Sequence, residues 1–180
     1  MNRRKIKFVP LSKFSDNSYA HFVTSKTFNN YPYFKDEYCC RILLENIKFY
    51  GNKFDYEILA WVIMYDHLHL ILWWNVEEKK NLTISKIMQW IKGNSAREII
   101  DYLVLGRRKP LLSPISFEQR LKANHRRGLK YRIWQPGFYD FNIYSDKKLQ
   151  EKENYIHQNP IRAGLVKSID EYKWSSFNDS

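Results

Sequence analysis

The sequence predicts an α+β protein with a ferredoxin-like (RRM-like) antiparallel sheet and helices packed on one face. Two observations carry this prediction: the order of strand-like and helix-like segments, and an apolar content of 44%, which suffices for a packed core. A length of 180 residues is typical of a single domain. We therefore expect one domain over residues 1–180, with a basic insertion around 106–132 and a C-terminal tail around 161–180.

The segments follow the order strand, helix, strand, strand, helix, strand, helix. Aromatic and β-branched residues predict the strands, and apolar positions three or four residues apart predict the helices. Gly51 and Asn52 are expected to end the first helix, Gly93 marks a weak point in the second, and Pro160 should stop the third, because a residue before proline avoids the helical region. The predicted strands cover residues 19–28, 54–64, 67–74 and 133–144, and the first two helices cover 34–50 and 81–105.

The chain is strongly basic, with 30 Lys and Arg against 19 Asp and Glu and a formal net charge of +11. A positive field of that size attracts polyanions, which makes nucleic acid the leading partner class, although solubility alone also explains basic proteins. Two basic clusters in the predicted insertion, with aromatic residues that can stack on unpaired bases, are candidate DNA contacts; a solvated surface and a core position for the tryptophan are the alternatives. These candidates are Arg107, Arg108, Lys109, Arg126, Arg127, Lys130, Tyr131 and Trp134.

Cysteine usage and hydropathy indicate the compartment. Cys39 and Cys40 are adjacent, so they neither build a disulfide framework nor supply spaced zinc ligands. The most apolar stretch, residues 58–74, is interrupted by Asp66 and two histidines, which is unfavourable for a membrane span. The start of the chain lacks an apolar run of signal-peptide length. We expect a soluble, cytoplasmic protein without a membrane partner.

Two histidines lie two residues apart in the third strand-like run. Side chains at such positions point to the same face of a strand, about 7 Å apart at the backbone, so His67 and His69 can converge on one metal ion. Histidines on strands also face solvent or a partner without binding metal. The pair by itself leaves both interpretations open.

Tyr155 and Asn159 lie four residues apart on the last predicted helix and therefore share one helical face. A phenol ionises near about pH 10, so its attack on phosphorus at neutral pH needs a nearby cation or base. A helical tyrosine also commonly packs in a core or at a surface. Combined with the histidine pair, the two residues would supply a metal site with an oxygen nucleophile beside it.

At these residues the sequence resembles a known family. The string WVIMYDHLHLILWW resembles the HUH signature of the single-tyrosine (IS200-like) transposases, in which two histidines flank a bulky hydrophobic residue. Family members usually have Pro-Asn before the first histidine, whereas this chain has Tyr65-Asp66. Four further strings, in the same order along residues 20–177, are similar to the REP-associated tyrosine transposase branch: FVTSKTF, WQPGFYD, YIHQNPIRAGLV and YKWSSF.

The resemblance implies a metal-dependent enzyme that nicks and rejoins single-stranded DNA by transesterification through a 5′-phosphotyrosyl intermediate. It implies Tyr155 as the nucleophile and His67, His69 and Asn159 as ligands of Mg²⁺ or Mn²⁺, with Gln158 as the alternative third ligand. The implied partner is single-stranded DNA with a hairpin or palindromic repeat, bound by a monomer or a homodimer.

Other classes remain open at this point. The main alternative is a non-catalytic module that binds single-stranded nucleic acid on a ferredoxin-like sheet, although the RNP pattern of basic, glycine and aromatic residues is not found. A domesticated transposase would share the chemistry. So would a relaxase or replication initiator, which usually carries larger or fused domains.

Overall fold

The computed structural model describes residues 19–106 and 132–178 of the chain. The strands are β1 (Ala20–Lys26), β2 (Glu57–Ile63), β3 (His67–Trp73) and β4 (Tyr139–Ile143), and the helices are α1 (Glu37–Phe54), α2 (Ile84–Leu105) and α3 (Asp146–Arg162). The four antiparallel strands form one sheet in the order β2-β3-β1-β4. This order is the ferredoxin-like arrangement, so the predicted α+β class and its antiparallel sheet are confirmed.

The sheet is covered on both faces. Leu68, Leu70 and Leu72 of β3 are fully buried in a core shared with α1 and α2, whereas Ile71 belongs to a second core with Leu149 and Ile156 of α3. The prediction that the helices share one face therefore holds for α1 and α2 and is wrong for α3. The physical reason is that the inner strands carry apolar side chains on both faces of the sheet, so helices must cover both faces.

Helix α1 extends one turn further than predicted. Gly51 lies inside it, where a Cβ atom would stand 3.4 Å from the Ile58 and Tyr56 side chains, so the glycine allows close packing and does not end the helix. The helix ends at Asp55, which adopts the left-handed conformation with φ of 53°. Gly93 likewise lies within an uninterrupted α2.

Helix α3 continues through Pro160 to Arg162, so the prediction that proline stops it is wrong. Ser145 caps its N-terminus by accepting a hydrogen bond from the Lys148 amide at 3.3 Å. Pro160 lies in the last turn and is buried, so the loss of one backbone hydrogen bond is offset by packing. The residues beyond the predicted end, 160–162, carry Arg162 as part of the helix.

The C-terminal segment lies along the outer edge of β2. The Ile63 amide donates to the Trp174 carbonyl at 2.9 Å, and the Ser176 amide donates to the Trp61 carbonyl at 2.9 Å. Tyr172 is buried and donates its hydroxyl to the Ile63 carbonyl at 2.9 Å. The tail thereby covers a sheet edge that would otherwise present unpaired backbone groups. Among the helices of the described ranges, none has the length and apolar character needed to cross a membrane.

Glu153 of α3 gives the fold a pH dependence. Burial raises the pKa of its carboxyl from 4.5 to about 7, so between these values the folded chain holds a proton that the unfolded chain has released. This stabilising contribution is present at low pH and is lost as the pH rises through about 7. In Glu153→Gln we expect the free energy of unfolding at about pH 8 to exceed that of the parent protein by about 1–2 kcal/mol, and the difference to vanish near about pH 4.

Urea denaturation at both pH values measures this difference. Glu151→Gln is the matched control, because Glu151 is exposed on the same helix and its pKa is lowered by its hydrogen bond with Lys148. If Glu153→Gln raised the free energy of unfolding equally at both pH values, the Glu153 carboxyl would not titrate as described.

Candidate metal and nucleophile site

His69 lies on the sheet face that α3 covers and is only 4% exposed. Its register partner on β1 is Thr24, whose Oγ1 is 2.7 Å from His69 Nδ1. Burial, with a smaller contribution from the neighbouring His67, lowers the pKa of His69 to about 3. The ring is therefore neutral at physiological pH, which is the protonation state that binds metal.

His67 lies on the same face and is anchored at the same ring atom. Its Nδ1 is 2.6 Å from Oδ1 of Asp66, and the centroids of the His67 and His69 rings are 4.8 Å apart. When Nδ1 carries the proton in both rings, His67 donates to Asp66, His69 donates to Thr24, and each Nε2 keeps a free lone pair. Asp66, which stands where the resemblance leads us to expect asparagine, thus contacts Nδ1 of His67, the ring nitrogen that would not bind the metal.

The histidine pair fits a metal ion. His69 Nε2 is buried and has no hydrogen-bond partner among the described residues, a costly condition that a metal bond would relieve. Within residues 19–106 and 132–178, no group of three or more His, Cys, Asp or Glu side chains could hold a metal ion.

Tyr155 is brought to the histidine pair by α3. Its ring is half-buried, with its centroid 5.4 Å from that of His69 and 5.8 Å from that of Phe22. Asn159 lies one turn further along the helix and is half-buried, whereas Gln158 is exposed. His69 and Tyr155 thus lie together on one face of the sheet, although the first belongs to β3 and the second to α3.

Two cations flank the Tyr155 ring, and the sequence reasoning missed both. Lys152 Nζ lies 4.8 Å from the ring centroid of Phe22, 5.0 Å from that of Phe141 and 5.8 Å from that of Tyr155. The Arg162 guanidinium carbon lies 5.3 Å from the Tyr155 centroid. The signal was available, because positions 152, 155, 159 and 162 repeat at helical spacing.

Among the predicted DNA contacts, only Trp134 lies within the described residues, and it is buried. Trp134 is 8% exposed, its ring lies 5.3 Å from that of Phe34, and its indole nitrogen donates to Ser95 Oγ at 3.1 Å. Its assignment as a base-stacking residue is therefore wrong, since a buried and hydrogen-bonded indole has no face free for a base. The other candidates lie outside the described residues: Arg107, Arg108, Lys109, Arg126, Arg127, Lys130 and Tyr131.

Fold and site together define a ferredoxin-like protein with a histidine pair on a central strand and a helical tyrosine beside it. The family model described as "Transposase IS200 like" matches residues 14–159. The chain belongs to this family of transposases, which are enzymes.

Known relatives agree with this assignment. The REP-associated tyrosine transposase of Escherichia coli (strain K12) is 28% identical over 123 residues, which cover 68% of this chain and 55% of that protein. A relative from Haemophilus influenzae is 25% identical over 130 residues, covering 71% of this chain and 62% of that protein. The chain thus spans little more than half the length of these curated relatives.

A solved structure shares the fold. The structure of a REP-associated tyrosine transposase bound to a REP hairpin matches with a TM-score of 0.62 and 22% identity, covering 89% of this chain and 78% of that one. At this identity the likeness shows the fold alone.

Proposed function

We propose that this chain nicks and rejoins single-stranded DNA by metal-dependent transesterification, with Tyr155 as the nucleophile. The observation that carries the proposal is the Tyr155 ring, 5.4 Å from a buried, neutral histidine whose Nε2 has no partner in the described structure. Membership of the transposase family supports the same chemistry.

A divalent ion, Mg²⁺ or Mn²⁺, is the proposed cofactor. His67 and His69 would hold it through Nε2, and Asn159 is the proposed third ligand, because Gln158 is exposed and Asn159 is half-buried one turn after Tyr155. When bound, the ion polarises the scissile phosphate as a Lewis acid. Asp66 and Thr24, each near an Nδ1 atom, would hold both rings in the tautomer that leaves Nε2 free for the metal ion.

The chain's own groups account for the covalent step. The Tyr155 oxygen forms a bond to phosphorus while the bond from phosphorus to the 3′ oxygen breaks; the phenol loses its proton and the 3′ oxygen gains one. Lys152 and Arg162 place positive charge over the Tyr155 ring, where it would stabilise the negative charge of the phosphate in the transition state. Attack by a second 3′-hydroxyl reverses the step and rejoins the strands, so the phosphodiester bond energy is conserved.

A hairpin or palindromic repeat is the proposed form of the substrate. The solved structure with this fold is described as bound to a REP hairpin, and the basic composition of this chain suits a polyanion. We propose that the protein acts in the cytoplasm, as a monomer or homodimer. The seven candidate contacts outside the described residues remain proposed DNA ligands.

A covalent-trapping assay tests this function. The full chain is incubated with labelled single-stranded hairpins and Mn²⁺ or Mg²⁺, and the products are resolved on denaturing gels. We expect a protein–DNA adduct that requires the metal and is accompanied by a fragment with a free 3′-hydroxyl. Salt-dependent DNA binding without an adduct across the hairpin pool would favour the non-catalytic binding module instead.

A further inference from the structure

A second surface adjoins the histidine pair at the turn between β2 and β3. After β1, the amide and hydroxyl of Thr27 both donate to the Asp66 carbonyl, at 2.8 Å and 2.9 Å, and the Phe34 amide donates to the Tyr65 carbonyl at 3.0 Å. Residues 27–35 therefore wrap around the turn that immediately precedes His67.

This surface, which we call the loop surface, is aromatic and basic. Tyr31 is 59% exposed, and its ring centroid lies 4.6 Å from that of the half-buried Tyr33. The Arg132 guanidinium lies 5.6 Å from the Phe28 centroid, and Lys35 Nζ lies 5.5 Å from the Tyr65 centroid. The loop surface consists of Phe28, Tyr31, Tyr33, Lys35, Tyr65 and Arg132.

The backbone turns sharply just before Tyr31. Asn29 and Asn30 both adopt the left-handed conformation, with φ of 54° and 52°, which asparagine enters more readily than most other non-glycine residues. The Asn30 amide donates to the Thr27 carbonyl at 3.2 Å, and Gln135 Nε2 donates to Asn30 Oδ1 at 3.3 Å. These hydrogen bonds fix the turn that presents the exposed Tyr31.

The charge of the loop surface favours an anionic partner. Lys35 and Arg132 are exposed cations, and Lys26, the register partner of His67, is a third. The nearby carboxylates are engaged: Asp66 contacts His67, and Asp36 accepts from the Tyr38 amide and the Tyr102 hydroxyl. Aromatic faces interleaved with cations suit unpaired bases and their phosphates.

We propose that the loop surface binds unpaired nucleotides of the DNA strand that enters the histidine site, with one base stacked on Tyr31 and phosphates paired with Lys35 and Arg132. The identity of the strand as substrate rests on the proposed function, whereas the binding itself does not require chemistry. Stacking accepts every base, so the loop surface adds affinity and not base specificity.

Fluorescence anisotropy of a labelled oligothymidylate, without divalent metal and in a Tyr155→Phe background, tests this binding. We expect Tyr31→Ala to weaken binding about fivefold to a hundredfold, and Tyr31→Phe to retain it, because phenylalanine also stacks. Lys35→Ala should reduce the salt dependence of the logarithm of affinity by about 0.7. Tyr144→Ala is the matched control, since Tyr144 is 63% exposed but lies beyond the opposite end of β1.

Equal effects of Tyr31→Ala and Tyr144→Ala, or equal losses for Tyr31→Phe and Tyr31→Ala, would overturn the proposal. So would preferential binding of a matched duplex. Circular dichroism of each variant checks that it is folded. The outcome is separable from the proposed function. If the parent chain forms the adduct but Tyr31→Ala binds DNA normally, only the loop surface is refuted. If binding depends on Tyr31 but the parent chain forms no adduct, only the transesterification is refuted.

Discussion

Replacement of Tyr155 by phenylalanine should abolish the covalent adduct while leaving the fold and DNA binding intact. The substitution removes only the oxygen that would attack phosphorus and keeps the ring that packs against Phe22 and His69. Loss of a nucleophile lowers turnover by about a thousandfold or more. Adduct yield on denaturing gels, with hairpin affinity measured in parallel by anisotropy, checks both parts.

Tyr139→Phe provides the matched control. Tyr139 lies on β4 near the site, with its ring 6.4 Å from that of Phe22, and is 56% exposed. Its hydroxyl has no role in the proposed mechanism, so the adduct should form at the parental rate. If Tyr155→Phe still forms the adduct, or if Tyr139→Phe loses it, the nucleophile has been misassigned.

Periodicity alone was enough to predict part of this site. Alternation along β3 correctly places His67 and His69 on one face and Leu68, Leu70 and Leu72 on the other, because strand geometry is local. Helical spacing likewise places Tyr155 and Asn159 together, and the same rule extended by one turn in each direction would have found Lys152 and Arg162.

Other features depend on contacts between distant parts of the chain. The Thr24–His69 pair joins residues 45 positions apart, and only the register of β1 against β3 reveals it. The position of α3 on the histidine face follows from packing on both faces of the sheet, which propensity does not encode. Trp134 was misjudged for the same reason, since its partner Ser95 lies on α2.

The helix ends show where local rules fail. Gly51 and Pro160 are both helix-ending signals, yet α1 and α3 pass through them. In each case the residue is buried, and tertiary packing outweighs a local preference of about 1–3 kcal/mol. In α3, the continuation through Pro160 keeps Arg162 on the helix that carries Tyr155.

His69→Ala should reduce the affinity for Mn²⁺ by about a hundredfold or more, because it removes a proposed ligand whose Nε2 has no other partner in the described structure. Asp66→Asn should have the smaller effect of about tenfold, since it changes only the group that orients His67. Titration of free Mn²⁺ by electron paramagnetic resonance measures both affinities without DNA or turnover.

His157→Gln is the matched control for the histidine substitutions. His157 is half-buried on α3, and its Nε2 lies 3.0 Å from Ser176 Oγ in the C-terminal segment, so glutamine can keep a hydrogen bond there. Its Mn²⁺ affinity should equal that of the parent protein. Unchanged affinity in His69→Ala, with the fold verified by circular dichroism, would show that the metal does not bind at the histidine pair. His67 and His69 would then have a role in the DNA chemistry other than metal binding.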